Sequence, residues 1–327
     1  MLPYAIATTN DVGHAVTLGS DAHSEFIAGG TCVVDYQRIG VDREDTLVDI
    51  STLPLATMDL RADGSLRVGA LVTNSALAYH VAVGERFPVL REAILAGASP
   101  QIRNMATTGG NLLQRSRCPY FRDLASYCNK REPGSGCAAQ DGYNRTHAIL
   151  GGSSRCISTH PSDMCVALLA LDAVVHTQSA SGARAIAMAD FHVVPGEHPE
   201  IETALRKGEL VTYVDVPATR FAARSHYLKV RDRASFDFAL ASAAVALDLD
   251  GTTIRAARIA LGGVATKPWR SVEAEQALVG KTASLETYRA AAAVALRGAA
   301  PRKHNVFKIE LAQRTIVRAL SEIGGAA

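Results

Sequence analysis

FIAGGTCV, residues 26–33, decides the fold: it runs from a short apolar strand into two glycines and then into a helical pattern that reaches Arg38. The next strand is predicted at TLVDI, residues 46–50. A strand, a helix and a strand in this order form a small parallel unit. Glycines at its first turn let main-chain N–H groups approach a pyrophosphate closely, and the Thr31 hydroxyl adds a donor. Residues 26–33 are here called the first glycine loop. A tight turn without a ligand is the alternative that the residues alone leave open.

The segment MATTGGN, residues 105–111, repeats this chemistry and is here called the second glycine loop. It combines small hydroxyl residues, two glycines and an amide. Two such loops in one domain are what a long dinucleotide, held at several points, requires. Further along, Ser162 is a good N-cap for a helix in PSDMCVALLALD, which leaves Asp163 to favour the helix dipole or to bind a ligand.

Four of the six cysteines fall in one irregular segment, the cysteine loop, at about residues 115–160. Nine, eight and eighteen residues separate Cys118, Cys128, Cys137 and Cys156, so the spacings of common zinc ribbons and ferredoxins do not apply. Spacing alone predicts one metal centre and leaves iron-sulfur and zinc equally open. The thiols of Cys32 and Cys165 are assigned no chemistry. We expect nearby basic residues to offset the thiolate charge: Arg115, Arg117, Arg122, Lys130 and Arg131.

The carboxyl-terminal third predicts a separate α+β domain. Three or four strands are expected between Leu210 and Leu261, in an antiparallel sheet with a two-residue turn at Asp250-Gly251. Alanine-rich helices follow from Ser271, with a break at Pro301. The predicted division is therefore a first domain at 1–220, which contains the cysteine loop, and a second at 221–327.

Composition excludes several classes of protein. The net charge of +2 comes from 34 basic and 32 acidic residues scattered along the chain, so nucleic-acid binding is not expected. No run of 18 apolar residues occurs, and the amino terminus lacks the pattern of a signal peptide. We expect a soluble protein without membrane insertion and without an export signal of its own.

Taken in order, AGGT, VGALVTNSAL, QIRNMATTGGN, PSDM, YLKVRDRASF and ALGGVATKPWR resemble the medium, flavin-binding subunit of the xanthine dehydrogenase and aldehyde oxidase family. The resemblance covers nearly the whole chain. It implies an α+β fold: a two-subdomain FAD-binding fold of the vanillyl-alcohol oxidase (PCMH) type, then a C-terminal α+β domain like that of the CO dehydrogenase flavoprotein. The cysteine loop resembles the insert of periplasmic aldehyde oxidoreductase flavin subunits, which implies a [4Fe-4S] cluster on Cys118, Cys128, Cys137 and Cys156.

The resemblance also implies which residues contact FAD. Cys32 departs from the family pattern, in which Asp or Asn is more frequent, so one side-chain contact is lost while main-chain contacts remain. The YLKVRDRAS strand would by residue type be a solvated face, whereas the resemblance brings Lys229 to the flavin. The implied contacts are Phe26, Ile27, Ala28, Gly29, Gly30, Thr31, Cys32, Val33, Thr107, Thr108, Gly109, Gly110, Asn111, Asp163, Val211 and Lys229.

By the same resemblance, the chain would work in a heterotrimer. A large subunit with the molybdenum cofactor would oxidise an aldehyde to a carboxylate, and a small subunit with [2Fe-2S] clusters would pass electrons through FAD to an external acceptor. No catalytic acid or base is assigned to this chain. The compartment would be the cytoplasm, or the periplasm by co-export with a partner. The alternatives are a related flavin subunit of xanthine dehydrogenase or hydroxybenzoyl-CoA reductase type, a zinc-stabilised interaction module, and a self-sufficient flavoprotein.

Overall fold

A computed structural model describes residues 3–325 as a mixed α+β structure with three sheets, of three, five and four strands. The first two sheets lie in the chain before residue 220, and the third lies after it. Within residues 3–325, none of the helices combines the length and the apolar character needed to cross a membrane.

The amino-terminal sheet is parallel and has the strand order β1-β3-β2. The parallel unit predicted around the first glycine loop is confirmed, because Ser24 pairs with Thr46 and Ile27 with Asp49 in the same direction. One further strand and helix precede it and were not predicted. The elements are β1 (Ala5–Thr8), α1 (Val12–Gly19), β2 (Ser24–Ile27), α2 (Val33–Ile39) and β3 (Thr46–Asp49).

The five-stranded sheet is antiparallel, in the order β4-β5-β8-β6-β7. Its strands are β4 (Met58–Leu60), β5 (Leu66–Gly69), β6 (Val174–Ser179), β7 (Gly182–Ala187) and β8 (Leu210–Val216). Between β5 and β6 come α3 (Asn74–Tyr79), α4 (Val81–Arg86), α5 (Pro88–Ala96), α6 (Pro100–Met105), α7 (Thr108–Leu112), α8 (Pro119–Arg122) and α9 (Asp163–Ala170), and α10 (Met188–Phe191) follows β7.

The N-cap predicted for α9 is confirmed, since the Ser162 hydroxyl accepts a hydrogen bond from the Cys165 N–H at 3.1 Å. Helix α9 is buried along its whole length and packs between α5 and the strands of the third sheet. Residues 123–162 contain no helix or strand. The long irregular loop predicted there is confirmed, and α9 fixes the point at which it ends.

The third sheet is antiparallel, in the order β12-β11-β10-β9, and three helices cover it. Its elements are β9 (Ser225–Val230), β10 (Ala241–Asp250), β11 (Thr253–Gly262), β12 (Trp269–Arg270), α11 (Val272–Leu278), α12 (Leu285–Ala295) and α13 (Phe307–Gly324). Two sequence predictions are corrected. Strand β8 belongs to the five-stranded sheet, and the hairpin turn consists of Gly251 and Thr252 because Asp250 still pairs with Thr253.

The third sheet is buried on both faces, which joins the two halves of the chain. Ala244 of β10 and Ala260 of β11 pack with α5 and α9 in the core of the first part. Val245 and Ile259, their neighbours on those strands, point the other way into the core formed with α11 to α13. Strand β9 is therefore brought against α5, and its Tyr227 and Lys229 side chains reach Asp163 at the start of α9.

Candidate functional site

Two different requirements restrict positions 29 and 30 of the first glycine loop to glycine. A side chain on Gly29 would put its Cβ 1.8 Å from the carbonyl oxygen of Met105, in the second glycine loop. Gly30 has a φ of +69°, in the left-handed region that side chains disfavour. The two loops therefore touch through bare main chain at Gly29, and only glycine permits this approach.

The second glycine loop begins helix α7. The Thr107 hydroxyl caps the helix by accepting a hydrogen bond from the Gly110 N–H at 3.2 Å. Thr108 points the other way: its hydroxyl donates to the Val72 carbonyl at 3.0 Å and its side chain is buried. Asn111 is oriented by the Ser162 hydroxyl, which donates to its amide oxygen at 2.6 Å.

Two cavities adjoin the glycine loops. The larger cavity, of about 540 Å³, lies between the two loops and the start of β8. Both acidic and basic side chains surround it, and burial raises the pKa of Glu25 and Asp42. The Ile27 side chain does not line it. The predicted contacts that line the larger cavity are Phe26, Ala28, Gly29, Gly30, Thr31, Cys32, Val33, Thr107, Gly109, Gly110 and Val211.

The smaller cavity, of about 240 Å³, is lined by Asn111, Asp163 and Lys229. The Lys229 ammonium donates to the Asp163 carboxylate at 2.8 Å and to the Ala96 carbonyl at 3.1 Å. The second carboxylate oxygen of Asp163 accepts from the Tyr227 hydroxyl at 2.5 Å, and burial raises the pKa of Tyr227 well above its usual value. The solvated face favoured by residue type alone is thus wrong for Lys229, whose side chain is 4% exposed.

The two cavities meet at the first glycine loop, since Thr31, Cys32 and Gly110 line both. Together they outline an elongated site, here called the groove, with a wide, charged end and a narrower end that contains a buried ion pair. Such a shape suits a ligand with two bulky ends joined by a phosphate-rich middle, with main-chain N–H groups of the first glycine loop at the junction. In the second glycine loop, the N–H groups of residues 108–111 already donate within the protein.

The four cysteines of the cysteine loop line one small cavity together. Cys128 and Cys137 face each other in a short antiparallel hairpin, in which the Asn129 N–H donates to the Gly136 carbonyl at 2.7 Å. Cys118 is the N-cap of α8, and the Ser158 N–H donates to the Cys156 sulfur at 3.4 Å. The fold therefore brings the predicted ligands together from three separate stretches.

The pKa and the spacing of the four thiols indicate which kind of metal centre they fit. Burial raises the pKa of Cys118 to about 12, so its thiol needs a cation to be held as thiolate at neutral pH. Among residues 3–325, no three of the four sulfurs lie within 4.8 Å of one another. This is wider than a single tetrahedral zinc requires, whereas each thiolate of a four-iron cluster binds a different iron. The residues fit the cluster better than zinc.

The ligand atoms of a second group, His160, Cys165 and His192, lie within 4.8 Å of one another; Cys165 and His192 are buried and His160 is partly buried. This group does not suit a metal. The Nδ1 of His160 accepts a hydrogen bond from the Ser162 N–H at 3.3 Å, so the proton sits on the Nε2 that would have to bind the ion.

Most of the basic residues of the cysteine loop are already paired with acids, so their charge is balanced within the protein. Arg131 is the exception, because it donates to carbonyl groups, which leave its positive charge uncompensated. Asp42 and Glu202 bind Arg115, Asp35 binds Arg117 and Arg122, Glu202 also binds Lys130, and the carbonyls of Tyr120, Phe121 and Ser126 bind Arg131.

Sequence reasoning missed several residues of the groove. Asp42, Glu202 and Arg206 line the larger cavity, and Phe236 and Phe238 stand at the mouth of the smaller one. Only Phe236 belongs to a motif, as the last residue of YLKVRDRASF, and that position was the signal that could have found it.

The fold and groove define an FAD-binding protein with a second, C-terminal flavoprotein domain. The family model for the FAD binding domain in molybdopterin dehydrogenase matches residues 3–219, and that for the CO dehydrogenase flavoprotein C-terminal domain matches residues 226–323. The chain belongs to the FAD-binding subunits of the molybdenum hydroxylases, and it is an oxidoreductase subunit. The α+β fold class predicted from sequence is confirmed.

Two curated relatives and one solved structure illustrate the similarity. The aldehyde oxidoreductase FAD-binding subunit PaoB of Escherichia coli K12 is 48% identical over 300 residues, covering 91% of each chain. The glyceraldehyde dehydrogenase medium chain of Sulfolobus acidocaldarius is 29% identical, over 78% of this chain and 73% of its own. The reconstituted CO dehydrogenase from Oligotropha carboxidovorans superposes with a TM-score of 0.78 at 23% identity over the full length of both chains, a similarity of fold.

Proposed function

We propose that this chain is the electron-transferring FAD subunit of a molybdenum-dependent aldehyde oxidoreductase. The observation that carries the proposal is the pair of cavities that meet at the first glycine loop. The 48% identity to an aldehyde oxidoreductase subunit supports aldehydes as the substrate class. The alternative in this family is a flavin subunit of xanthine dehydrogenase or hydroxybenzoyl-CoA reductase type.

In this proposal the pyrophosphate of FAD lies on the first glycine loop, the adenosine end fills the larger cavity and the isoalloxazine ring fills the smaller one. Bound FAD supplies the redox chemistry, and the chain supplies its position, charge environment and access. The ion pair with Asp163 holds the Lys229 ammonium in place as a hydrogen-bond donor in the smaller cavity. Cys32 contributes main-chain contacts. Ile27 and Thr108 support the loops from behind.

We further propose that Cys118, Cys128, Cys137 and Cys156 hold a [4Fe-4S] cluster. The shared cavity of the four thiols and their wide spacing support it over zinc. In the assembled enzyme, a large subunit with the molybdenum cofactor oxidises the aldehyde to a carboxylate. A small subunit with [2Fe-2S] clusters then passes the electrons to FAD, from which an external acceptor takes them. Co-export with a partner would allow a periplasmic location.

The same proposal divides the chain at about residue 220, into an FAD-binding domain at 1–220 and a C-terminal domain at 221–327. Strand β8 ends at Val216 and β9 begins at Ser225, in a different sheet. The matched ranges of the two family models, 3–219 and 226–323, support the same boundary.

The test is the absorbance spectrum of the purified full-length chain, with iron, zinc and released flavin quantified on the same sample. About four irons and one FAD per chain are expected. The isolated chain should not oxidise aldehydes, because their oxidation is assigned to the partner with the molybdenum cofactor. Stoichiometric zinc without flavin would replace the proposal with a zinc-stabilised interaction module, and aldehyde turnover by the chain alone would replace it with a self-sufficient flavoprotein.

A further inference from the structure

The residues just before Cys118 contact the first glycine loop and helix α2. Arg117, one residue before this cysteine, approaches the Cys32 sulfur at 3.5 Å and the Tyr36 hydroxyl at 3.3 Å. The Arg115 N–H donates to the same Tyr36 hydroxyl at 2.9 Å. Any change in the position of Cys118 is therefore transmitted to helix α2, directly behind the first glycine loop.

A row of ion pairs, largely buried, makes a second connection between the cysteine loop and the larger cavity. Lys130, two residues after Cys128, places its ammonium 3.0 Å from one oxygen of Glu202. The other oxygen of Glu202 binds Arg115 at 2.6 Å, and Arg115 also binds Asp42 at 2.6 Å. The chain Lys130–Glu202–Arg115–Asp42 thus runs from the cysteine loop to the wall of the larger cavity.

The charged residues of this row line two different cavities. Lys130 and Phe121 line the cavity of the four cysteines. Asp42, Arg115 and Glu202 line the larger cavity, and the Arg115 guanidinium lies over the Phe121 ring at 4.7 Å. Lys130 lines neither cavity of the groove, but its ammonium contacts Glu202, which lines the larger one, and it also donates to the Pro199 carbonyl at 2.8 Å.

Burial makes these contacts energetically important. The Lys130 side chain is 8% exposed, and those of Arg115 and Glu202 are about one quarter exposed. Burial would raise the pKa of Glu202, but Lys130 and Arg115 more than offset it, and the pKa is lowered. Removing one member leaves a poorly solvated charge unpaired, so its partners have to rearrange.

We infer that the cysteine centre and the larger cavity are coupled, so that occupancy of the four cysteines raises the affinity for FAD through the Lys130–Glu202–Arg115 chain. This inference rests on the proposed function, in which the cysteines hold a cluster and the groove holds FAD. Lys130 and Glu202 act as positioning residues: they hold Arg115 against the wall of the larger cavity. Coupling between two sites is reciprocal in binding free energy, so FAD should also strengthen the binding of iron.

The measurement is the dissociation constant for FAD, from quenching of flavin fluorescence, on the full-length protein before and after iron is removed with a chelator. Iron removal should weaken FAD binding about 10-fold, within the usual range of coupling between sites. Lys130→Met should weaken binding similarly with iron present, and iron removal from this variant should change the constant less than about twofold.

Arg145→Met is the matched control. Arg145 also lies in the cysteine loop, but it pairs with Asp232 at 2.6 Å and lines none of the cysteine cavity, the larger cavity and the smaller cavity. This variant should bind FAD as the wild type does. Lys130→Arg keeps the charge and should restore most of the affinity, which a folding defect at this position would not allow.

A second readout is the rate at which a chelator takes iron from the protein, with and without saturating FAD. FAD should slow this rate in the wild type and not in Lys130→Met. Equal FAD constants in the iron-loaded and iron-free wild type would overturn the coupling while leaving both cofactors in place. A purified protein with FAD and without iron would overturn the cluster itself, and the coupling with it.

Discussion

The Lys229 ammonium donates to the Asp163 carboxylate at 2.8 Å, and the two residues belong to different parts of the chain. Asp163 opens helix α9, whereas Lys229 lies on the first strand of the third sheet. Both side chains are less than one tenth exposed. The floor of the smaller cavity is therefore a buried ion pair that only the assembled chain can form.

Breaking this pair should be costly. Lys229→Met leaves the Asp163 carboxylate without its cation, and we expect the free energy of unfolding to fall by about 3 kcal/mol. Flavin content should fall with it. Denaturant unfolding and released flavin measure the two effects. The double variant Lys229→Met/Asp163→Asn should recover much of the stability, since no buried charge remains. A single variant as stable as the wild type would contradict this account.

The contact between the glycine loops predicts a sharp steric effect. Gly29→Ala pushes a methyl group into the Met105 carbonyl, so the loops must separate, at a cost of about 1–3 kcal/mol. FAD affinity should fall because both loops line the larger cavity. Gly13→Ala is the control: this exposed glycine lies in helix α1, where alanine is favoured. The interpretation fails if both variants bind FAD as tightly as the wild type.

The cysteine centre makes a prediction about iron content. Cys118→Ser or Cys137→Ser should remove most of the iron, because a hydroxyl is a poor replacement for a thiolate ligand. Cys165→Ala should leave iron content unchanged, since its buried thiol lies outside the four-cysteine cavity. Iron assay and the visible spectrum give the answer. Retention of full iron in Cys118→Ser would show that another residue serves as the fourth ligand.

His226 should make stability depend on pH. Its Nδ1 lies 2.8 Å from Glu92 and its Nε2 lies 2.8 Å from Glu322, so it joins helices α5 and α13. The hydrogen bond with Glu92, aided by the charge of Glu322, raises the pKa of His226, although burial and Arg318 oppose this.

Because the folded pKa is raised, this contribution is complete below the unfolded value of about 6.5 and is lost as pH rises through the folded pKa. Melting temperatures of the wild type and His226→Gln should therefore differ most at acidic pH and converge at alkaline pH. A difference that grows with pH would have the wrong sign for this histidine.

The parts of the fold that local chemistry dictates could be predicted from sequence. The apolar strand and glycines at residues 26–33 sufficed for the parallel unit, and Ser162 for the start of α9. Strand β1 was missed because it has no apolar alternation, and Ile6 is 62% exposed. The hairpin turn was misassigned by one residue because the register shifts at Asp248 and Leu249, just before it.

The parts of the site that depend on distant pairs could not be predicted from residue type. Lys229 lies in an alternating strand that would suit solvent, and its burial follows from a partner 66 positions away. The basic residues near Cys118 looked like counter-ions for thiolates. Their acidic partners, including Asp42 and Glu202, are remote in sequence, and no local pattern indicates that the fold brings them together.

The two-sided burial of the third sheet has a consequence for the order of folding. The smaller cavity takes its walls from residues as far apart as Thr31 and Phe238, and its floor needs Lys229 on β9. Strand β9 is held in turn by β10, which is covered by helix α13. The smaller cavity is therefore complete only when both halves of the chain have folded, and a ligand that fills it would bind late in folding.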